Sequence, residues 1–501
     1  MSSISTTSSQ ASANSALQSA AQSIISGSTG NTSMDVSSLV TALVNAKTAG
    51  QAAALSAQQT TDNTQLSAYG ALSAALSALQ SGIAGLASGS TLSTFTASAT
   101  GSGLSATAGK GAVANSYTVA VQQIASSQSL TSSAFGATAQ LGTGTLSISL
   151  GGTSMNVSID STNNTLSGIA SAINSASGNP GVTATVVTGT DGAHLVLRSA
   201  NSGAANTINV SVNATSDNGL SSLGVTSTAS TTGGQSSITS ANSSNAWSQS
   251  SYAQDAEFTV GGVAATSASN AVTTAISGVT MTLSAASVGT TQTLNVTSDT
   301  TSQATAINNF VSLYNTVVTT MSTLTSYNSS SSSQGPLLGD STLMTIQNAL
   351  ATIVGGAVGS GSTGTTLASI GITLKDDPAD GTMVVDNTAL TTALTANPAT
   401  VASLFNPTNG IAEQLNASIT NFTQTGGIID TRDTALNTDL KSVASQQSAL
   451  ADYTAQLTSQ YQAQFTALNT LMATANSNSQ YLTALFGGAN SAGALASANN
   501  T

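Results

Sequence analysis

The residues able to do acid–base or metal chemistry are few and scattered. The only histidine, His194, sits in Ala193-His194-Leu195-Val196-Leu197, where apolar residues alternate as in a strand, so its imidazole is expected on a sheet face. A nucleophilic triad needs a base, a nucleophile and an orienting carboxylate, and no G-x-S-x-G elbow accompanies that histidine. Neither a G-x-x-x-x-G-K-[ST] loop nor an H-E-x-x-H helix occurs, and with Cys 0 there is no thiolate, disulfide or cysteine metal site. The densest acidic stretch is Asp376-Asp377-Pro378-Ala379-Asp380-Gly381. It has three residues of a calcium loop, but Pro378 occupies a ligand position and Asn387 stands where a bidentate glutamate is required. A hairpin loop between Ile372 and Val384 is the better reading. Glu257 and Glu413 are the only glutamates, and no pair of carboxylates suited to glycoside hydrolysis is visible. The expectation is a protein that is not an enzyme and uses no cofactor and no metal.

What remains is architecture, and composition constrains it. The chain has 501 residues, long enough for about three domains. Only 5% of residues are charged, with Lys+Arg 6, Asp+Glu 18 and a net charge of -12. Nucleic acids and anionic bilayers are held by clustered Lys and Arg, so neither is expected as a partner. Hydrophobic residues reach 40% while aromatics are 3%, so cores must be filled by Ala, Val, Leu and Ile. The first 30 residues have no basic residue and only Ile24-Ile25 as an apolar pair, unlike a cleaved secretory signal. No run of about 18 apolar residues predicts a membrane-spanning helix.

Both ends of the chain carry a helical period. From Asp35 to Leu86, Val36, Leu39, Val40 and Leu43 form one stripe, followed by Leu72, Leu76, Leu79, Ile83 and Leu86, with Gly82, Gly85 and Gly89 marking a fraying end. Near the other terminus Leu436, Leu440, Val443, Leu450, Leu457, Tyr461, Leu468 and Leu471 keep a 3.5-residue register for about five heptads. Gln447 and Thr454 interrupt that stripe at core positions. Two such helices pair most simply with each other, antiparallel, with everything between them as an insertion; packing inside one chain is the plainer alternative for each.

Between them the period falls to two. Tyr117, Val119 and Val121 share a strand face; Leu146, Ile148 and Leu150 turn at Gly151-Gly152 into Met155, Val157 and Ile159. Thr165 caps a short helix bearing Leu166, Ile169, Ala170 and Ile173, and a second hairpin runs from Val182 through Asp191-Gly192 to Leu197. This unit predicts one small open sheet crossed by a helix. Residues 211–251 read as a loop around Trp247, the sole tryptophan. Phe258, Val260, Met281 and Leu294 mark further antiparallel strands. The helical period returns at Ile307 with Phe310, Tyr314, Val317 and Met321; a serine run at 329–333 ends it, and Asp340 or Ser341 caps the next helix.

These features resemble a known family. Met34-Asp35-Val36-Ser37-Ser38-Leu39-Val40, Ser67-Ala68-Tyr69-Gly70-Ala71-Leu72 and Ser93-Thr94-Phe95 are similar to the N-terminal region of the flagellar filament cap proteins, also called hook-associated protein 2. The module at 144–210, ending in Ala204-Ala205-Asn206-Thr207-Ile208, resembles an insertion found in hook-associated proteins and flagellins. Phe310-Val311-Ser312-Leu313-Tyr314-Asn315, Gly335-Pro336-Leu337-Leu338-Gly339-Asp340-Ser341 and Leu367-Ala368-Ser369-Ile370-Gly371-Ile372 follow in the family's order.

The resemblance implies an α+β, discontinuous multidomain chain whose terminal helices pair as a coiled-coil leg region below inserted antiparallel β-rich head domains. The expected segments are a low-complexity, unstructured 1–33, leg helices at 34–110, an inner β head domain at 111–140 with 245–299, and an outer head domain at 141–244. A helical and β part of the leg domain at 300–430, a coiled-coil helix at 431–486 and a tail at 487–501 complete it. It implies a ring-like homo-oligomer at the distal tip of the bacterial flagellum, exported through the flagellar channel. There it promotes folding and polymerisation of flagellin and prevents its loss to the medium, with a contribution to adhesion. Partners would be further copies of itself, flagellin, hook-filament junction proteins and a flagellar export chaperone. Another axial flagellar protein, or a surface adhesin, is the alternative. The leg coiled coil is expected to join Leu72, Leu76, Leu79 and Ile83 to Leu436, Leu440, Val443 and Leu450, with Leu457, Tyr461 and Leu468 continuing the seam.

Overall fold

A computed structural model describes residues 35–329, 333–359, 364–376, 379–406 and 408–486, with Gln18 and Gln22. The expectations for 1–33, for the tail at 487–501, for most of the serine run and for Asp377-Pro378 lie outside the described residues. The chain divides into two compact units. One holds the chain up to Ser88, Ala306–Ala393 and the chain from Ala399 onward; the other holds Gly89–Thr305 with Leu394–Pro398.

The helices are α1 (Val36–Ala87), α2 (Leu166–Ser175), α3 (Thr300–Thr325), α4 (Ser341–Gly355), α5 (Asn387–Ala396), α6 (Pro398–Phe405), α7 (Ile411–Thr423) and α8 (Ile428–Phe486). The first and last are long, 52 and 59 residues, or about 78 and 88 Å at 1.5 Å per residue. Asp35 starts α1 by accepting from the Ser38 backbone N–H at 3.1 Å. Alanine then carries the helix where packing does not. Its glycines do not fray it. The helix runs through Gly82 and Gly85 to Ala87, and a Cβ at Gly82 would overlap the Leu313 side chain, so this glycine permits close helix approach. By length and apolar content α1 also has the character of a membrane span. Its leucine stripe, Leu72, Leu76, Leu79 and Leu86 with Ile83, is packed inside the protein.

In the helical unit Phe310, Tyr314 and Phe405 stack, Phe310 meeting Phe405 edge-on at 5.9 Å between ring centroids. The hydroxyl of Tyr314, buried among them, is pushed up to about 12 by desolvation. Asn315 on α3 clamps the Met383 backbone, donating from its side chain to the carbonyl and accepting from the N–H.

The β unit begins with β1 (Phe95–Ala99), β2 (Leu104–Ala108), β3 (Asn115–Gln123) and β4 (Ser129–Thr131). Then follow β5 (Gly142–Leu150), β6 (Thr153–Ile159), β7 (Val182–Thr188), β8 (Ala193–Ser199) and β9 (Ile208–Asp217). The remainder are β10 (Val225–Thr228), β11 (Ser237–Ser240), β12 (Ser248–Ser251), β13 (Ala256–Val260), β14 (Val263–Ser267), β15 (Ala271–Ile276), β16 (Val279–Leu283) and β17 (Thr291–Ser298). A sheet in the order β1-β17-β3-β13-β14 and a sheet β15-β16-β2 enclose one core, around Val119, Val121, Phe258, Met281 and Leu294. Residues 95–108, expected with the leg helices, are therefore strands of this core.

The second core corrects the expected single sheet. Hairpin β5-β6 belongs to a sheet ordered β11-β10-β9-β5-β6, while hairpin β7-β8 belongs to another, β12-β4-β8-β7. Both contribute to one core, with α2 lying against β6 and β7. Each hairpin presents one apolar face, and burying the two faces against each other removes more apolar surface from water than one flat sheet would. Residues 211–251 are not a loop: β10, β11 and β12 complete these sheets, and Trp247 is buried, its indole N–H donating to the Ser222 carbonyl at 3.3 Å. Polar residues on the inward positions, Ser227, Ser240, Gln249 and Ser251, hid the strand alternation. Truncating Ile148, fully buried in this core, to alanine should cost about 3 kcal/mol, read as a lower denaturation midpoint of Trp247 fluorescence.

His194 stands on the other face of β8. Its Nδ1 lies 2.8 Å from the Ser132 carbonyl oxygen and its Nε2 lies 3.0 Å from Asp191 Oδ1. Two acceptors facing both ring nitrogens can be satisfied together only by the doubly protonated ring. The Ser132 carbonyl, then Asp191, accordingly raises the histidine pKa, and His194 lowers that of Asp191. A raised folded-state pKa gives stability that is complete below the unfolded value of about 6.5 and is lost as pH rises through the folded value. Denaturation followed at Trp247 should show that loss in the natural chain and not in His194→Gln.

Candidate functional site

Among the described residues no group of three His, Asp or Glu side chains converges as a metal site. An open groove of about 750 Å³ along α3, lined by Ala71, Asn308, Val311, Asn315, Thr319 and Thr323 among others, has no ionisable group in its wall. The feature with the form of an assembly device is the α1–α8 pair.

These helices run antiparallel. Val40 and Val44 of α1 pack on Leu457; Leu39 and Ala42 pack with Phe465; Leu55 packs on Val443 and Leu450; and Gln447 donates to Gln59 at 3.2 Å. Tyr461 and Phe465 stack at 6.3 Å between ring centroids at the outer end. Leu436, Val443, Leu450 and Leu457 are buried, whereas Leu440 and Tyr461 are half-buried. Leu468 is 42% and Leu471 is 67% exposed, past the point where Val36, at the start of α1, packs with Phe465.

The expected pairing of Leu72, Leu76, Leu79 and Ile83 with Val443 and Leu450 is replaced by a different register. All four are fully buried, but Val443 and Leu450 meet Leu55. With Gln59 beside Gln447, α8 runs out at Ile428, close to Leu79 on α1. The α1 stripe there faces α7 as well, where Gln80 donates to Asn416 at 3.1 Å and to Thr420 at 2.8 Å. These leucines are core of the helical bundle, and the two-helix leg proper lies outward of them.

At the junction of bundle and leg is a polar group that sequence did not single out. Tyr69 of α1 is completely buried, and its hydroxyl has no hydrogen-bond partner. Burial, and then the Asp340 carboxylate beside it, pushes that hydroxyl up to about 12. Asp340 caps α4, accepting from the backbone N–H groups of Thr342 at 2.8 Å and Leu343 at 3.2 Å, and its other oxygen lies 3.8 Å from Nε of Arg432 on α8. Thus Tyr69 of α1, Asp340 at the start of α4 and Arg432 of α8 come together at one point. Next to Arg432, burial and then the neighbouring Asp430 raise the pKa of Asp433.

Comparison with known proteins decides what this architecture is. The chain matches the flagellar hook-associated protein 2 N-terminus over residues 32–128 and the corresponding C-terminus over residues 253–477. The flagellin hook IN motif matches residues 145–201. The flagellar hook-associated protein 2 of Escherichia coli K12 is 33% identical over 447 residues, covering 86% of this chain and 91% of that protein. The chain belongs to the flagellar hook-associated protein 2 family. The B-type flagellar hook-associated protein 2 of Pseudomonas aeruginosa PAO1 is 32% identical over 422 residues, covering 82% of this chain and 87% of that one. The crystal structure of the flagellar cap protein FliD D1-D2-D3 domains from Escherichia coli superposes with a TM-score of 0.60 at 33% identity, covering 74% of this chain and 99% of that one.

The family is one of structural flagellar cap proteins, not of enzymes, and the function of this chain is that of a flagellar cap. Within that family frame, two of the quoted resemblance motifs meet in space: Ser67–Leu72 supplies Tyr69 and Gly335–Ser341 supplies Asp340. Sequence reasoning missed Leu55, Asp62 and Arg432. The signal was present, since Thr48, Leu55, Asp62, Tyr69, Leu76 and Ile83 are spaced by seven and all are buried, but only the last two are recognisably a stripe. Replacing Val443 with Asp would put an unpaired charge against Leu55 at a cost on the order of 3 kcal/mol. The expected readout is rapid cleavage within α8 by a protease that cuts after small apolar residues, at sites that resist in the natural chain.

Proposed function

We propose that this chain forms a ring-like homo-oligomer at the distal end of the flagellar filament, with the α1–α8 pair as a leg that contacts flagellin. The observation that carries this reading is the outer end of α8. Leu468, Leu471, Tyr481, Leu482 and Phe486 are between 42% and 68% exposed on a helix otherwise poor in charge. Apolar side chains exposed in a single chain are what an assembly contact would cover. The leg seam holds only small apolar clusters separated by polar residues, which suits contacts that must release and reform as subunits are added. Leu436, Val443, Leu450, Leu457 and Tyr461 would keep the leg together, and Leu468 would face a partner. Export through the flagellar channel, binding of hook-filament junction proteins and use of an export chaperone belong to the same reading. None of these steps needs a catalytic group.

Deleting the gene should leave hooks without filaments and abundant monomeric flagellin in the medium, because export continues while assembly fails. Soluble flagellin measured in the medium, with electron microscopy of the same cells, tests this. Normal filaments with clean medium would sink the reading.

A further inference from the structure

The seam between α1 and α8 keeps its seven-residue repeat but not its apolar character. Toward the bundle its α1 positions are Tyr69, Leu76 and Ile83, each fully buried; outward they are Asp62, Leu55 and Thr48. Opposite stand Gln447 and Thr454 at core positions of α8. Leu55, Val443 and Leu450 therefore form a three-residue apolar island between polar layers. Asp62 is the sharpest defect. It is 3% exposed, its Oδ1 accepts from Gln58 of its own helix at 2.8 Å, and its Oδ2 has no partner. The hydroxyls of Thr48 and Thr454 donate to the Val44 and Leu450 carbonyls within their own helices, at 2.9 and 2.7 Å. Of the polar groups in this belt, only the Gln447–Gln59 bond joins the two helices.

A buried carboxylate with an unused oxygen is costly while helix pairing persists and is relieved when water enters. Threonines bonded back to their own helix contribute nothing across the seam. The free energy of local opening should therefore be lowest here. We propose that the belt of Thr48, Gln59 and Asp62 against Gln447 and Thr454 is a built-in opening point, at which the outer leg separates while residues 69–86 stay packed. Its use rests on the cap reading: a leg that must leave one contact and take the next opens at one place at low cost, without unfolding the bundle. The opening itself does not depend on that reading.

Hydrogen exchange measured by mass spectrometry on the full chain tests it. In the natural chain, amides in 48–62 and 443–454 should exchange at least about tenfold faster than those in 72–86. Asp62→Leu should slow exchange in 48–62 by about tenfold and leave 72–86 unchanged; Gln447→Leu, on the facing helix, gives the same readout should the first variant fail to fold. Equal protection across 48–86 in the natural chain, or folded variants that exchange within about twofold of it, would overturn the opening point. In cells, either stabilised variant should be exported yet release flagellin into the medium. Normal filament growth together with slowed exchange would overturn the role assigned to opening, while leaving the cap reading to the gene deletion.

Discussion

The helical unit depends on the antiparallel pairing of its first and last long helices. Because α1 and α8 lie near opposite ends of the sequence, their contact closes nearly the whole chain into one loop, and the loop-closure entropy must be offset by the bundle it completes. That completion is made where Leu72, Leu76, Leu79 and Ile83 are fully buried and where Tyr69, Asp340 and Arg432 meet. Farther out, among the described residues, α1 and α8 share a seam of small clusters, and a two-helix pair has little apolar area with which to hold itself together. A firm root and a weak outer leg thus follow from a single helix pair with different numbers of neighbours along its length.

Scarcity of charge shapes the rest. With 5% charged residues, few ion pairs are available, and polar groups are satisfied by amides and hydroxyls. In the β unit, Gln128 accepts from the Ile208 backbone N–H and donates to Ser227; Asn174 donates to and accepts from the Ala184 backbone; Asn179 does the same for Val182. Neutral clamps of this kind are little affected by ionic strength, since there is no charge to screen. On the helices, threonine after threonine turns its hydroxyl back to the carbonyl four residues earlier, as at Thr316, Thr320 and Thr323. Their outer surfaces therefore present methyl groups as well as hydroxyls.

The wrong turns of sequence reasoning have a common cause. The two hairpins at 146–159 and 182–197 were each legible, because alternation and the turns at Gly151-Gly152 and Asp191-Gly192 are local signals. Whether they share a sheet is not local, and they join different ones. Strands such as Ser237–Ser240 and Ser248–Ser251 were invisible because polar residues such as Ser240, Gln249 and Ser251 hold inward positions where apolar ones would mark a strand. On α8 the residues of the 3.5-residue period are buried or half-buried as far as Tyr461, but period alone does not say where a partner helix ends, and Leu468 is exposed.

Composition and pattern by themselves determined that two long terminal helices flank an antiparallel β insertion, that acid–base and metal chemistry lack their usual groups, and, through motif order, which family the chain resembles. Those properties are written in single residues and short spacings, where burial period and turn chemistry act within a few positions. Only the tertiary structure decided the register of α1 on α8, the division of the hairpins between sheets, the meeting of Tyr69, Asp340 and Arg432, and the burial of Asp62. Each of these depends on which distant surface a residue faces, and that is fixed by the packing that removes most apolar area from water at once, not by any segment's own preference.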